Sequence, residues 1–135
     1  MYIFIDDELD ESDWDESDPA VFVEKATSRS DQAAKIWPHD QNQAYYIGSY
    51  QSCVCGWKPV SEWDDEPDKE AKVRDRIKLV ALLRTIDLST SWLVVCWEGD
   101  QGEPMRDSET ISLTDILSPV FEFEELMQYR FSVGG

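Results

Sequence analysis

The chain reads as a single α+β domain, a mainly antiparallel sheet packed against one long helix at about residues 67–88. Three observations predict this class. Short runs of β-branched and aromatic residues recur between turn residues, as strands do. One stretch carries apolar residues at three- and four-residue spacing for long enough to make a helix. The 135 residues, 41% of them hydrophobic, suit one core rather than two.

Taken in order, residues 1–5 (Met1-Tyr2-Ile3-Phe4-Ile5) predict a first strand. Residues 6–18 then hold nine acids and no base. A block of like charge that long repels itself, so a flexible acidic loop is expected at about 6–19. Ala20 to Glu24 is a second apolar run, and Asp31 to Ile36 can start a helix that Pro38 must end. Ala44 to Tyr50 is an aromatic-rich strand leading into a tight turn at Cys53-Val54-Cys55-Gly56-Trp57.

The helix follows. Asp64 and Asp65 precede Pro67, the arrangement of an acidic cap and a first-turn proline. Val73, Ile77 and Val80, with Leu79, Leu82, Leu83 and Ile86, supply the apolar positions expected to face the sheet. The same stretch carries six of the twelve bases. Ser91 to Trp97 is continuously apolar, which predicts a central strand covered on both faces. Glu98 to Gly102 reads as a turn, Thr110 to Leu113 as a strand, and Thr114 as the cap of a short helix through Leu117. Met127 to Val133 alternates in strand fashion, and no internal repeat is present.

Charge is the most informative property. With 29 acids against 12 bases the formal net charge is −17. Such a surface repels phosphate backbones and anionic lipids, so neither direct nucleic-acid binding nor membrane binding is expected. Basic partners are attracted and steered. The competing explanation is adaptation of the whole host proteome, because net charge speaks to solubility and association rather than to fold. No apolar run reaches the roughly 18 residues of a membrane span, and Met1 to Asp7 lacks the basic start of a secretory signal. An odd count of three cysteines points to reduced thiols, so a cytoplasmic protein is expected.

Signals for chemistry are few. Cys53, Cys55, Cys96 and His39 together have the composition of a Cys₃His zinc set. The spacing argues against it, since structural zinc pairs place two or more residues between thiols and a C-x-C pair in extended chain points its sulfurs apart. The acids Asp6, Glu8 and Asp10 have the alternation of a calcium loop without its central glycine. No nucleophile elbow, phosphate-binding loop or metalloprotease motif is present. No catalytic residue and no cofactor is therefore predicted.

Tyr46-Ile47-Gly48-Ser49, Cys53-Val54-Cys55-Gly56-Trp57 and Cys96-Trp97-Glu98-Gly99-Asp100 resemble segments of small acidic bacterial proteins similar to toxin-system immunity proteins. The resemblance covers roughly residues 44–133 and excludes the acidic block. It implies an inhibitor of a basic partner and transfers no catalytic residue. Composition and resemblance together predict a protein-interaction domain rather than an enzyme. The expected contacts are Asp10, Glu11, Asp13, Trp14, Asp15 and Glu16, with Asp64, Asp65 and Glu66 as a second patch. A cysteine-centred metal protein or enzyme, and a domain with no partner surface, are the alternatives.

Overall fold

The computed structural model describes residues 1–26, 43–51, 54–96 and 103–132. The elements are β1 (Tyr2–Ile5), β2 (Phe22–Lys25), β3 (Gln43–Gly48), α1 (Glu66–Leu83), β4 (Trp92–Val94), β5 (Asp107–Ile111), α2 (Leu113–Leu117) and β6 (Met127–Phe131). Two 3-10 turns, Val54–Trp57 and Leu88–Thr90, complete the described segments. The expected helix at 31–36 and the turn at 98–102 lie outside the described residues.

The strands form one six-stranded sheet in the order β2-β3-β1-β4-β6-β5. Every pairing is antiparallel except β5 with β6. The α+β class expected from the sequence is the class observed.

Strand alternation divides the core. Ile3 pairs with Tyr45 on one side and Leu93 on the other, and Leu93 pairs with Tyr129. These side chains point to one face, where Leu79, Val80 and Leu83 of α1 pack on them. Tyr2 and Phe4 point to the other face, where they cluster with Val94 and Cys96. The apolar run at β4 is thus explained, for it lies inside the sheet with Leu93 and Val94 fully buried. Gly48 sits opposite Phe22, and a Cβ there would enter the Phe22 ring.

α1 departs from expectation in three ways. It ends at Leu83, not residue 88: the Thr85 and Ile86 amides bond back three residues, to the Leu82 and Leu83 carbonyls, and Asp87 then starts a separate turn by accepting the Ser89 amide. Val73 and Ile77 are exposed rather than buried. The face turned inward instead holds Ala71, Lys72, Asp75, Arg76, Leu79, Val80 and Leu83. Its polar positions are tolerated there largely because groups distant in sequence meet them. Arg76, 1% exposed, donates to the carbonyls of Trp57, Ile116, Ser118 and Phe121 at 2.7–3.3 Å. Burial pulls its guanidinium down to about 10, so it stays charged at neutral pH. A further correction concerns α2, whose cap is Ser112 in a capping box with Asp115, not Thr114.

Asp75 is the costlier neighbour. Its Oδ2 accepts the Tyr50 amide at 2.7 Å, while Oδ1 lies 3.7 Å from the Arg74 Nε. Burial raises its pKa above the ordinary 3.8, against the opposing pull of the Tyr50 amide and Arg74. The native state then holds this proton more tightly than the unfolded chain. The stability it contributes is full below the ordinary value and is lost as pH rises through the raised one. Asp75→Asn keeps the acceptor for Tyr50 and removes the charge. It is expected to match wild type near pH 3 and to exceed it at pH 7 in urea midpoint. A variant less stable than wild type at pH 7 but equal at pH 3 would contradict this.

Candidate functional site

The loop between Trp57 and α1 is fixed from both ends. Trp57 is buried and donates its indole N–H to the Ile47 carbonyl at 3.2 Å. The Val60 amide donates to the Pro119 carbonyl at 2.8 Å, which seats the loop against residues 117–121. Asp64 Oδ2 accepts from Lys72 Nζ at 2.8 Å and from the Ser61 amide at 3.0 Å. Lys72 also reaches the Pro59 carbonyl at 3.3 Å. Its hydrogen bond, and then the Ser61 amide, hold the Asp64 carboxyl below the ordinary carboxylate range. Asp65 is the α1 cap and accepts the Asp68 amide at 2.9 Å. Pro67 in the first turn follows.

This frame leaves Trp63 outside. Its side chain is 88% exposed, although its amide is held by Ser61 Oγ at 3.2 Å. A fixed backbone carrying a bare indole is pre-organised for contact, since ordering costs at an interface are largely met in advance. Val120, 71% exposed, and the exposed Leu117 flank the Pro119 carbonyl to which this loop is tied. Glu62 and Glu66 are exposed on either side of Trp63, and Glu122 is exposed just beyond Val120. Trp63, Val120 and Leu117 are thus exposed apolar side chains on two segments that the Val60–Pro119 bond joins, with exposed acids beside them in sequence, the residue types of an interface centre and its rim.

Trp63 is the residue that the sequence pattern misses. The signal is present, because Ser61-Glu62-Trp63-Asp64 sets an aromatic among acids just as the segment around Trp14 does. Of the second acidic patch, Asp64 and Asp65 are employed in holding the loop and the helix. Glu66 remains available, with only Lys69 at 3.7 Å.

The first acidic patch is also tied to the body. Leu9 is buried in the core, and Ser12 exchanges backbone hydrogen bonds with Val23. Glu11 accepts the Lys25 amide at 2.8 Å, and Asp15 accepts both the amide and hydroxyl of Ser17. Those bonds from Ser17 lower the Asp15 pKa. Asp10, Asp13 and Glu16 are exposed. Trp14 is 37% exposed and donates its indole N–H to the Tyr50 carbonyl at 3.0 Å, so it leans onto the domain. The Tyr50 hydroxyl donates in turn to Asp68 in the first turn of α1 at 3.0 Å. Tyr50 thereby joins the acidic segment to the helix start where the second patch lies.

A cavity of about 500 Å³ opens beside the same loop, lined in part by Trp57, Lys58, Cys96, Arg106, Glu122 and Phe123. Of the nominated metal ligands, Cys96 is buried on the sheet face away from α1. Cys53 and His39 lie outside the described residues, as does the side chain of Cys55. Among the described residues no group of three or more His, Cys, Asp or Glu side chains is placed to hold a metal ion. No helix among them is long and apolar enough to cross a membrane. No protein-family model, curated protein or solved structure matches the chain.

Proposed function

We propose that the chain is a protein-binding domain that docks onto and blocks a basic partner, with Trp63 as its anchor. The observation that carries this reading is the 88% exposure of an indole on a loop fixed by Asp64, Lys72 and the Asp65 cap. Burying that ring releases on the order of 4 kcal/mol, taking about 25 cal/mol per Å² over a side chain of roughly 200 Å². Water is a poor place to leave such a group without a partner. The rim acids and the net charge of −17 select a positive surface and speed the encounter. The resemblance to toxin-system immunity proteins supports the same reading, since a nuclease toxin presents a basic cleft that acids can occupy.

The experiment is a pull-down with the chain as bait, followed by calorimetric titration of the captured basic protein at rising salt. Affinity is expected to fall at least tenfold between about 50 and 300 mM salt, as screening shortens the reach of the rim charges. Binding indifferent to salt, or no binding, would overturn the reading.

A further inference from the structure

The outward face of α1 is ordered by charge along its length. Glu66 and Glu70 are exposed towards the N-terminus, Val73, Ile77 and Ala81 follow with Arg74 and Lys78 beside them, and Arg84 lies at the C-terminal end. Lys69, half-buried, is the one base in the acidic half and lies 3.7 Å from Glu66. Ile77 is 56% exposed, and with Val73 it lines a shallow apolar groove bordered by Lys69, Glu70, Arg74 and Lys78. Arg74 donates to the Pro19 carbonyl at 2.8 Å, which holds its guanidinium at the groove's edge.

A stripe with acids at one end and bases at the other is complementary to itself when reversed. We propose that two copies of the chain pair through this face, with their α1 helices antiparallel about a two-fold axis passing between Val73 and Ile77. In that arrangement Val73 of one copy meets Ile77 of the other, Glu70 comes beside Lys78, and Glu66 comes opposite Arg84. The two-fold axis repeats each contact, as an isologous interface requires. The spacing 66, 70, 73, 77 follows the four-three alternation of a helix-pairing seam. Antiparallel alignment also opposes the helix dipoles favourably.

No other stripe of α1 has this property, because positions 71, 72, 75, 76, 79, 80 and 83 face the core. Charge also sets the conditions. Each copy carries −17, so the pair is resisted at long range. At about 150 mM salt the screening length is near 8 Å, which removes most of that resistance and spares charges in contact. A single helix face is small, at the weak end of specific interfaces. Pairing is therefore expected only at about 100 µM chain, not at nanomolar levels. The proposal does not depend on Trp63.

Sedimentation velocity between about 10 and 500 µM tests it, with three samples besides wild type. Wild type is expected to shift from monomer to dimer across that range. Glu70→Lys faces Lys78 of its twin, and Lys78→Glu faces Glu70 of its twin, so each alone is expected to remain monomeric. Mixed in equal amounts, the two variants restore opposite charges at both 70–78 contacts and are expected to dimerise better than either alone. That recovery also shows that neither variant has lost its fold. A wild type monomeric throughout overturns the proposal, as does a dimer that both single variants keep. Variants that lose the dimer and fail to recover it on mixing also count against antiparallel pairing.

Discussion

Replacing Arg76 with alanine is expected to cost about 4 kcal/mol of folding stability. The guanidinium is buried and donates to four carbonyls from three separate segments: Trp57 before α1, Ile116 and Ser118 around the end of α2, and Phe121 beyond it. It also lies 5.2 Å from the centroid of the Phe123 ring. Charged hydrogen bonds contribute more than neutral ones, and truncation strands their acceptors away from water. Arg76→Lys keeps the charge but offers a single ammonium where a planar fork reached both ways, so roughly half the loss is expected to remain. Urea denaturation with unchanged slope reads both values. A loss below about 1 kcal/mol for the alanine variant would show that these carbonyls find other partners. The consequence reaches the surface, since Arg76 joins the Trp57 turn to residues 116–121, the base on which Trp63 and Val120 stand.

The second large effect is on binding. Trp63→Ala is expected to weaken the complex with a basic partner at least 100-fold, about 3 kcal/mol, which is the scale of a central tryptophan hot spot. Stability should change by less than about 0.5 kcal/mol, because the ring makes little contact in the free domain. Calorimetry and urea midpoints on the same preparation separate the two effects. Trp14→Ala behaves oppositely: it gives up the hydrogen bond to Tyr50 and loosens the acidic segment while affecting affinity less. A Trp63→Ala variant that binds as tightly as wild type would move the anchor elsewhere.

Much of the sheet was legible because most strands announce themselves locally, though β5 runs Asp107–Ile111 rather than the expected Thr110 to Leu113, since its first residues are polar and exposed. Residues 1–5, 44–50 and 91–97 all fall on or around observed strands, and the continuous apolar run at 91–97 correctly marked an interior position. The helix start was equally local, since Asp65 and Pro67 are adjacent to it. What escaped depends on distant groups. Val73 and Ile77 look like core by spacing, but the inward face is decided by carbonyls up to 45 positions away that accept from Arg76. Asp64 looks like a free surface acid until Lys72 is found beside it. The parallel pairing of β5 with β6 joins strands separated by α2, and nothing in either strand encodes that direction.

At the candidate site, the acids were legible and the anchor was not. Acids count towards net charge wherever they point, so composition finds them. The exposure of Trp63 is a property of the folded loop. The Asp64–Lys72 bond that helps turn Trp63 outward spans two turns of α1 and the preceding loop.

The central claim is that Trp63 is the group a partner covers. Fluorine NMR on chain carrying 5-fluorotryptophan tests this directly, with the Trp63 signal assigned by its loss in Trp63→Phe. In the free protein that signal is expected to show the largest H₂O-to-D₂O shift of the tryptophans in the described segments. On saturation with the basic partner it should move and lose that solvent sensitivity. A complex that forms while the Trp63 signal keeps its position and its solvent shift would contradict the account.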